Sequence, residues 1–353
     1  MAAKYQFIAD QLRIQIKAGK YASASVLPTE FALCQEYQVS RQTVRQALAL
    51  LVQEGLIEKR QGSGSTIVRE SQTHSQRTAV AVITTYISDY IFPSILREIE
   101  RVFSENGCSP MLFATRNQVD NERRILTDLL ETNLDGIIVE GSKSVLPNPN
   151  FDLYQRLADR NIPIVFIHST YSNLQHFPSV TDDNQAGSRM LVEYLYRKGH
   201  RDIAGIFKSD DAQGLLRYQG YMEALRKLGA PMDDRRVFWY DTALKEKFLH
   251  DEAIAQAFPI LEGCTAVVCY NDEVADSLIR YLIKQGVDVP GQMAVVSFDN
   301  SQYSYLSPVP ITSLSHGEQN VGRLAAEMLL RLMRGEYCRP EKAPWTLVEK
   351  QSS

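Results

Sequence analysis

Between Ser40 and Gly55 the apolar positions Val44, Leu48 and Leu51 recur at i, i+4 and i+7. That spacing predicts a helix from about Arg41 to Glu54 with one stripe for a core, while Arg41, Gln42 and Arg45 lie off the stripe. Ser40 can accept the first free backbone N–H groups, and Gly55 can take the left-handed conformation that ends a helix. A shorter helix capped by Thr29 runs to about Tyr37, and Gln38, Val39 and Ser40 make the turn between the two. Ahead of them, Tyr5, Ile8, Leu12 and Ile16 line one side of a helix from Lys4 to about Ala18. Behind them, Leu56–Arg60 and Thr66–Val68 read as strands around the tip Gln61-Gly62-Ser63-Gly64-Ser65. The expected result is a small winged helix-turn-helix domain over residues 1–70.

From Thr78 onward short β-branched runs alternate with amphipathic helices. Strands are expected at Ala79–Thr84, Met111–Ala114, Gly136–Val139 and Ile164–Ile167, with helices Ser94–Glu105, Asp120–Thr132 and Phe151–Arg160 between them. A second series has strands Ile203–Phe207, Val237–Tyr240, Ala266–Cys269 and Met293–Phe298. Its helices are Asn184–Lys198, Leu215–Leu228, Lys245–Phe258 and Asp272–Lys284. Continuous apolar strands separated by helices predict parallel sheets covered on both faces, so the fold class is α/β with two Rossmann-like lobes. A strand at Ile311–Leu314 and a helix Glu318–Arg334 complete the series.

The expected organisation is a winged head (1–70), a linker (71–77) within the polar run Arg69–Arg77, and a body (78–353). Lobe one would take 78–180 plus 299–314, and lobe two 183–298 plus 315–353. Val180–Asp183, Asp299–Tyr305 and Leu314–His316 are expected as crossover hinge strands about which the lobes open and close.

Charge divides the chain the same way. Residues 1–70 carry nine Lys/Arg against six Asp/Glu, which is +3, and the overall −4 then leaves −7 on the rest. Only the head should be drawn to a polyanion. The five cysteines are scattered with no C-x-x-C pair, so neither a disulfide framework nor a zinc site is expected. No apolar run approaches the roughly 18 residues of a membrane span, and a cytoplasmic protein without membrane contact is expected.

A helix entering the major groove reads bases from its first turns, and Arg41, Gln42, Thr43 and Arg45 stand there. A glycine-rich tip lets the backbone approach the sugar-phosphate wall, so Lys59, Arg60, Gln61 and Gly62 join them, with Lys4 placed to meet a phosphate. This stretch resembles the DNA-binding head of the GntR family of bacterial regulators, through Pro28-Thr29-Glu30, Ser40 to Leu48, Gly55-Leu56 and Gly62-Ser63-Gly64. The resemblance implies double-stranded operator DNA as partner.

The body resembles the sugar-responsive domain of the LacI family, itself similar to type I periplasmic sugar-binding proteins. The residues that carry this are Thr265 to Ala275, Gly286 to Pro290, Val295 to Asp299, Arg217 to Leu225 and Leu347 to Ser352. Ile83 to Glu100 and Asp135 to Ser144 resemble in particular the arabinose-responsive repressors of Gram-positive bacteria. The resemblance implies a homodimer, L-arabinose as effector and no cofactor.

Ligands of such sheets sit at the carboxyl ends of strands. Arg217, Asn271 and Asp299 match the LacI pattern and are expected to hold sugar hydroxyls, a forked donor beside a group that both donates and accepts and a pure acceptor. Tyr86, Asp89, Phe92, Glu140, Lys143, His168, Asp211 and Gln213 follow other strands, and Tyr305 lies in an expected hinge. Glu140 and Lys143 can ion-pair with each other, and Lys143 could serve a phosphate. The chain has no G-x-S-x-G elbow, no phosphate-binding G-x4-G-K-[ST] loop and no H-E-x-x-H, so an enzyme is not expected. The rival readings are a repressor answering to another pentose, a purine or a sugar phosphate, and a cytosolic sugar-binding or sugar-processing protein whose head docks another protein.

Overall fold

The computed structural model describes residues 4–17, 27–54, 56–60, 64–67, 78–248, 251–317 and 320–353. Its contacts divide into two units, Met1–Arg77 and Thr78–Ser353.

In the first unit α1 (Lys4–Lys17), α2 (Glu30–Tyr37) and α3 (Arg41–Gln53) precede β1 (Ile57–Arg60) and β2 (Gly64–Ile67). Ile8, Leu12, Leu33, Val44, Leu48, Leu51 and Ile57 are buried in one cluster. At about 1.5–3 kcal/mol for each fully buried large aliphatic side chain, this stripe holds the three helices together. Thr29 accepts from the Ala32 amide and Ser40 from that of Thr43, so both expected caps exist. The turn passes through Gln38 in the left-handed conformation. The strands pair antiparallel from Ile57↔Ile67 to Arg60↔Gly64, forming the wing. Gly55, the tip residues Gln61 to Ser63 and the linker 71–77 lie outside the described residues.

The second unit begins with β3 (Thr78–Thr84), α4 (Phe92–Glu105), β4 (Cys108–Ala114), α5 (Val119–Leu130), β5 (Gly136–Val139), α6 (Phe151–Asp159), β6 (Ile164–Ile167) and β7 (Ser179–Asp182). The chain then passes to α7 (Asn184–Arg197), β8 (Ile203–Lys208), α8 (Ala212–Leu228), β9 (Val237–Tyr240), α9 (Thr242–Phe248) and α10 (Asp251–Ala257). It continues through β10 (Ala266–Cys269), α11 (Asp272–Lys284), β11 (Ala294–Phe298), α12 (Tyr303–Leu306) and β12 (Thr312–Ser315). The last elements are α13 (Val321–Met333), β13 (Glu341–Ala343) and β14 (Thr346–Val348).

Two six-stranded sheets result, ordered β13-β7-β6-β5-β3-β4 in lobe one and β14-β12-β11-β10-β8-β9 in lobe two. All pairings are parallel except β12 with β14. The central strands are buried along their whole length, and each sheet carries an apolar cluster on either face. Helices α7 and α8 approach closely at Gly220, where a Cβ would stand 2.2 Å from the Gln185 carbonyl oxygen.

Three expectations about the lobes are corrected. Residues 299–314 do not belong to lobe one, because β12 pairs with β11 in lobe two. Residues 315–353 do not all belong to lobe two, because Val321, Ala325, Met328 and Leu329 pack with Ile95 and Ile99 of α4, and β13 pairs with β7. Asp299–Tyr305 is therefore no crossover; the chain crosses after β7, after β12 and at Pro344–Trp345 between β13 and β14. The expected helix Lys245–Phe258 is two shorter helices, α9 and α10. Among the described residues no helix is long and apolar enough to cross a membrane.

Candidate functional site

On the head, the side of α3 away from the core presents Arg41, Gln42 and Arg45 to solvent. The Nε of Arg45 donates to the Glu30 carboxylate at 2.9 Å, which orients the guanidinium from the neighbouring helix. Thr43 is half-buried and its hydroxyl meets that of Ser40 at 2.9 Å, so it serves the helix start. Lys4 is exposed at the first turn of α1. Lys59 and Arg60 stand on β1 opposite Ser65 and Gly64, while Gln61 and Gly62 lie outside the described residues.

In the body each sheet reverses its strand order beside its first strand, between β3 and β5 in lobe one and between β8 and β10 in lobe two. The loops leaving neighbouring strands diverge there and open a crevice. These loops, with those after β6 and β11, bring Tyr86, Phe92, Glu140, His168, Asp211, Gln213, Arg217, Asn271 and Asp299 around one cavity of about 80 Å³.

Arg217 is buried on α8 with its guanidinium 4.1 Å from the Phe298 ring centroid and 4.7 Å from that of Tyr270. Its Nε donates to Asn184 at 2.8 Å, one terminal nitrogen donates to the Tyr270 carbonyl, and the other lies 3.5 Å from Asp299. Three of five donors are engaged, so two remain for a ligand. Asn271 caps α11 by accepting from the Val274 amide at 3.0 Å, which occupies its carbonyl oxygen and leaves its amide to donate. Asp299 sits at φ +92°, a conformation a non-glycine residue adopts only when its surroundings impose it. The Tyr90 hydroxyl of lobe one donates to it at 2.6 Å.

His168, also at positive φ, is 4% exposed and pairs through Nδ1 with Asp182 at 3.0 Å. Its Nε2 has no partner among the described residues. Burial alone would lower the imidazole pKa, but the Asp182 carboxylate, with Glu140 and Asp299 nearby, takes it up to about 9. Burial alone would raise Asp182, and the two histidines beside it instead hold it well below the usual carboxylate range. The Nε2 of His316 stands 2.7 Å from Asp182 but out of line for a hydrogen bond, so that contact is electrostatic. His168 shares the cavity lining with Glu140, whose carboxylate accepts from the Thr85 amide at 2.7 Å and hydroxyl at 2.6 Å.

Other lining groups tie the lobes together. Gln213 of lobe two donates to Asp182 of lobe one at 2.6 Å, and Asn117 of lobe one donates to Thr242 of lobe two at 2.6 Å. Asp211 caps α8 and accepts from the Tyr270 hydroxyl at 2.8 Å. Lys245 lies 4.8 Å above the Tyr86 ring.

Three expected residues lie elsewhere. Asp89 is exposed in the loop that carries Tyr90, with its carboxylate accepting from the Ser88 hydroxyl at 3.1 Å rather than facing the cavity. Lys143 lines a separate surface groove with Asp120, Arg123 and Asp152, and Glu140 pairs with Thr85 rather than with it. Tyr305 is 58% exposed and stacks under Lys350, because its segment stays on lobe two. Sequence reasoning passed over Tyr90, Asn117, Ser144, Lys208, Lys245 and Tyr270, all of which line the cavity. Lys208 ends a strand and Tyr270 directly follows one, so both carried a readable signal; Tyr90 depends on a left-handed backbone at φ +54° that no local pattern announces.

Residues 4–67 match the family model for bacterial regulatory proteins of the gntR family, and residues 192–353 that for a periplasmic binding protein-like domain. The arabinose metabolism transcriptional repressor of Geobacillus stearothermophilus is 36% identical over 334 residues, covering 94% of this chain and 91% of its own length. That of Halalkalibacterium halodurans is 35% identical over 341 residues, covering 95% and 91%. In fold, the chain is similar to a transcriptional regulator solved as a CelR-cellobiose complex, with a TM-score of 0.69 and 24% identity across 90% of this chain and 92% of that one.

Proposed function

The chain belongs to the family of arabinose metabolism transcriptional repressors, a gntR-type head joined to a periplasmic-binding-protein-like body, and from that premise we propose that it represses genes of arabinose uptake and catabolism. It is a transcriptional repressor and not an enzyme. In the proposed cycle two chains hold two heads on a palindromic operator, since one winged helix contacts too few bases for useful specificity. L-Arabinose enters the cleft, favours the closed lobes and releases the DNA. Reversing the DNA-competent population almost fully requires a differential affinity of about 10⁴, or roughly 5.5 kcal/mol, shared between two sugar sites.

The observation that carries the reading is the cavity in which Arg217, Asn271, Asp299, His168 and Glu140 converge. Its volume of about 80 Å³, against the roughly 10–15 Å³ that admits a single water, leaves room for one small ligand rather than two. Its chemistry favours a neutral sugar over a phosphate: Lys208 is paired with Asp210 and Asp211, Arg217 with Asp299 and Lys245 with Glu273. Isothermal titration with a panel of pentoses, hexoses and sugar phosphates tests this. We expect L-arabinose to bind one per chain and sugar phosphates to give no heat; preference for a phosphorylated sugar would reject the neutral-sugar assignment.

A further inference from the structure

A second chamber of about 410 Å³ lies against the sugar cavity, lined by lobe-one residues such as Ser94, Arg97 and Asn320 and lobe-two residues such as Gln302 and His316. The two spaces share four lining residues, Tyr90, Ile91, His168 and Asp299. His168 and Asp299 are fixed by their ion pairs, His168 with Asp182 and Asp299 with Arg217. The other two belong to a single loop of lobe one. Tyr90 holds φ +54°, and its hydroxyl donates to Asp299 at 2.6 Å and accepts from the Asp272 amide at 3.2 Å. Its ring rests against Tyr303 of lobe two, with centroids 5.9 Å apart.

We propose that Tyr90, backed by Ile91, is the residue that sets the size of the sugar, by forming the partition between the one-ring cavity and the larger chamber behind it. The inference rests on reading the cleft as a sugar site. A ring pinned to the opposite lobe at its hydroxyl is a stiff wall, because an aromatic side chain has only two rotatable bonds and both are fixed by that anchor. A pentopyranose then fills the space in front of the wall. An added hydroxymethyl group or a second ring must displace the wall and break its bond to Asp299. Removing the ring merges the two spaces, and the chamber behind is the larger of the two.

The test is isothermal titration of the full chain and three variants with L-arabinose and D-galactose, which repeats the hydroxyl pattern of L-arabinopyranose and adds one hydroxymethyl group. Tyr90→Phe keeps the ring, Tyr90→Ala removes it, and Ile91→Ala thins the same wall without touching the hydrogen bond. The wild type should prefer L-arabinose by at least tenfold, and Tyr90→Phe, which keeps the ring but loses the anchor to Asp299, should show a smaller preference. Tyr90→Ala or Ile91→Ala should bind D-galactose at least tenfold more tightly than the wild type does, with circular dichroism verifying that each variant is folded. Unchanged or weaker galactose binding in both opened variants overturns the proposal, as does a wild type that binds the two sugars equally. Failure of the wild type to bind any pentose is a different result: it removes the sugar reading itself.

Discussion

Arg217 is a buried residue through which stability and the proposed sugar binding are joined. Its guanidinium satisfies Asn184, the Tyr270 carbonyl and Asp299 at once, so Arg217→Ala leaves a carboxylate and a carbonyl buried without it. The body should lose about 3–5 kcal/mol of stability, the range for breaking a buried pair, along with sugar binding. Chemical denaturation of the variant reads the first effect and titration the second; a fully stable variant would put Arg217 outside the network. His168 gives a pH prediction whose sign follows from its raised value. Between 6.5, the ordinary value, and about 9, the folded chain holds a proton that the unfolded chain releases. The associated stability is complete below pH 6.5 and is lost as pH rises to 9, by on the order of 3 kcal/mol. Urea midpoints measured across this window should fall, and His168→Asn should flatten the decline; a slope unchanged in the variant would assign it to another group. At this scale the sequence was legible where a polar residue directly follows a strand, as with Glu140, His168 and Asp299. It was not legible where loop conformation decides, since nothing local distinguishes Tyr90 from Asp89.

At the scale of elements, α3 is a helix whose start, core face and solvent face are separately testable. Ser40→Ala removes the acceptor of the Thr43 amide and should cost about 1 kcal/mol of head stability, as capping losses generally do. Arg41→Ala and Arg45→Ala leave the core untouched and should abolish specific operator binding while sugar binding persists. Gel-shift assays at two salt concentrations separate the roles: a base-reading arginine relaxes specificity, whereas a phosphate contact lowers the salt slope by about one. Retained affinity in both variants would remove this face from the interface. Strands Gly136–Val139, Ile164–Ile167 and Ala266–Cys269 fall where the apolar runs place them, because a strand covered on both faces has no polar side to blur its limits. The failures lie at the end of the chain. Amphipathic α13 advertises a face to bury but not which lobe will bury it, and the choice falls to α4 through contacts more than 200 residues distant in sequence.

For the whole molecule, the structure holds the lobes against each other through polar contacts, Tyr90 with Asp299, Gln213 with Asp182 and Asn117 with Thr242. A sugar among these groups adds bonds to both lobes and favours closure over an open arrangement. Saturating sugar should therefore stabilise the body by about 2.7 kcal/mol at a hundredfold excess over Kd, read as a rise in melting temperature. The two-lobed plan, the winged head and the crossings after β7 and β12 were legible; the third crossing, at Pro344–Trp345, was not, because so short a passage carries no pattern that names its destination. The account turns on coupling between head and body, which neither half displays alone. The most direct measurement is the affinity of the full chain for a palindromic operator from an arabinose operon, titrated with L-arabinose. The account predicts at least a hundredfold loss of operator affinity at saturating sugar, absent from a variant whose cleft no longer binds it. Operator affinity that stays constant while L-arabinose fills the cleft would contradict it.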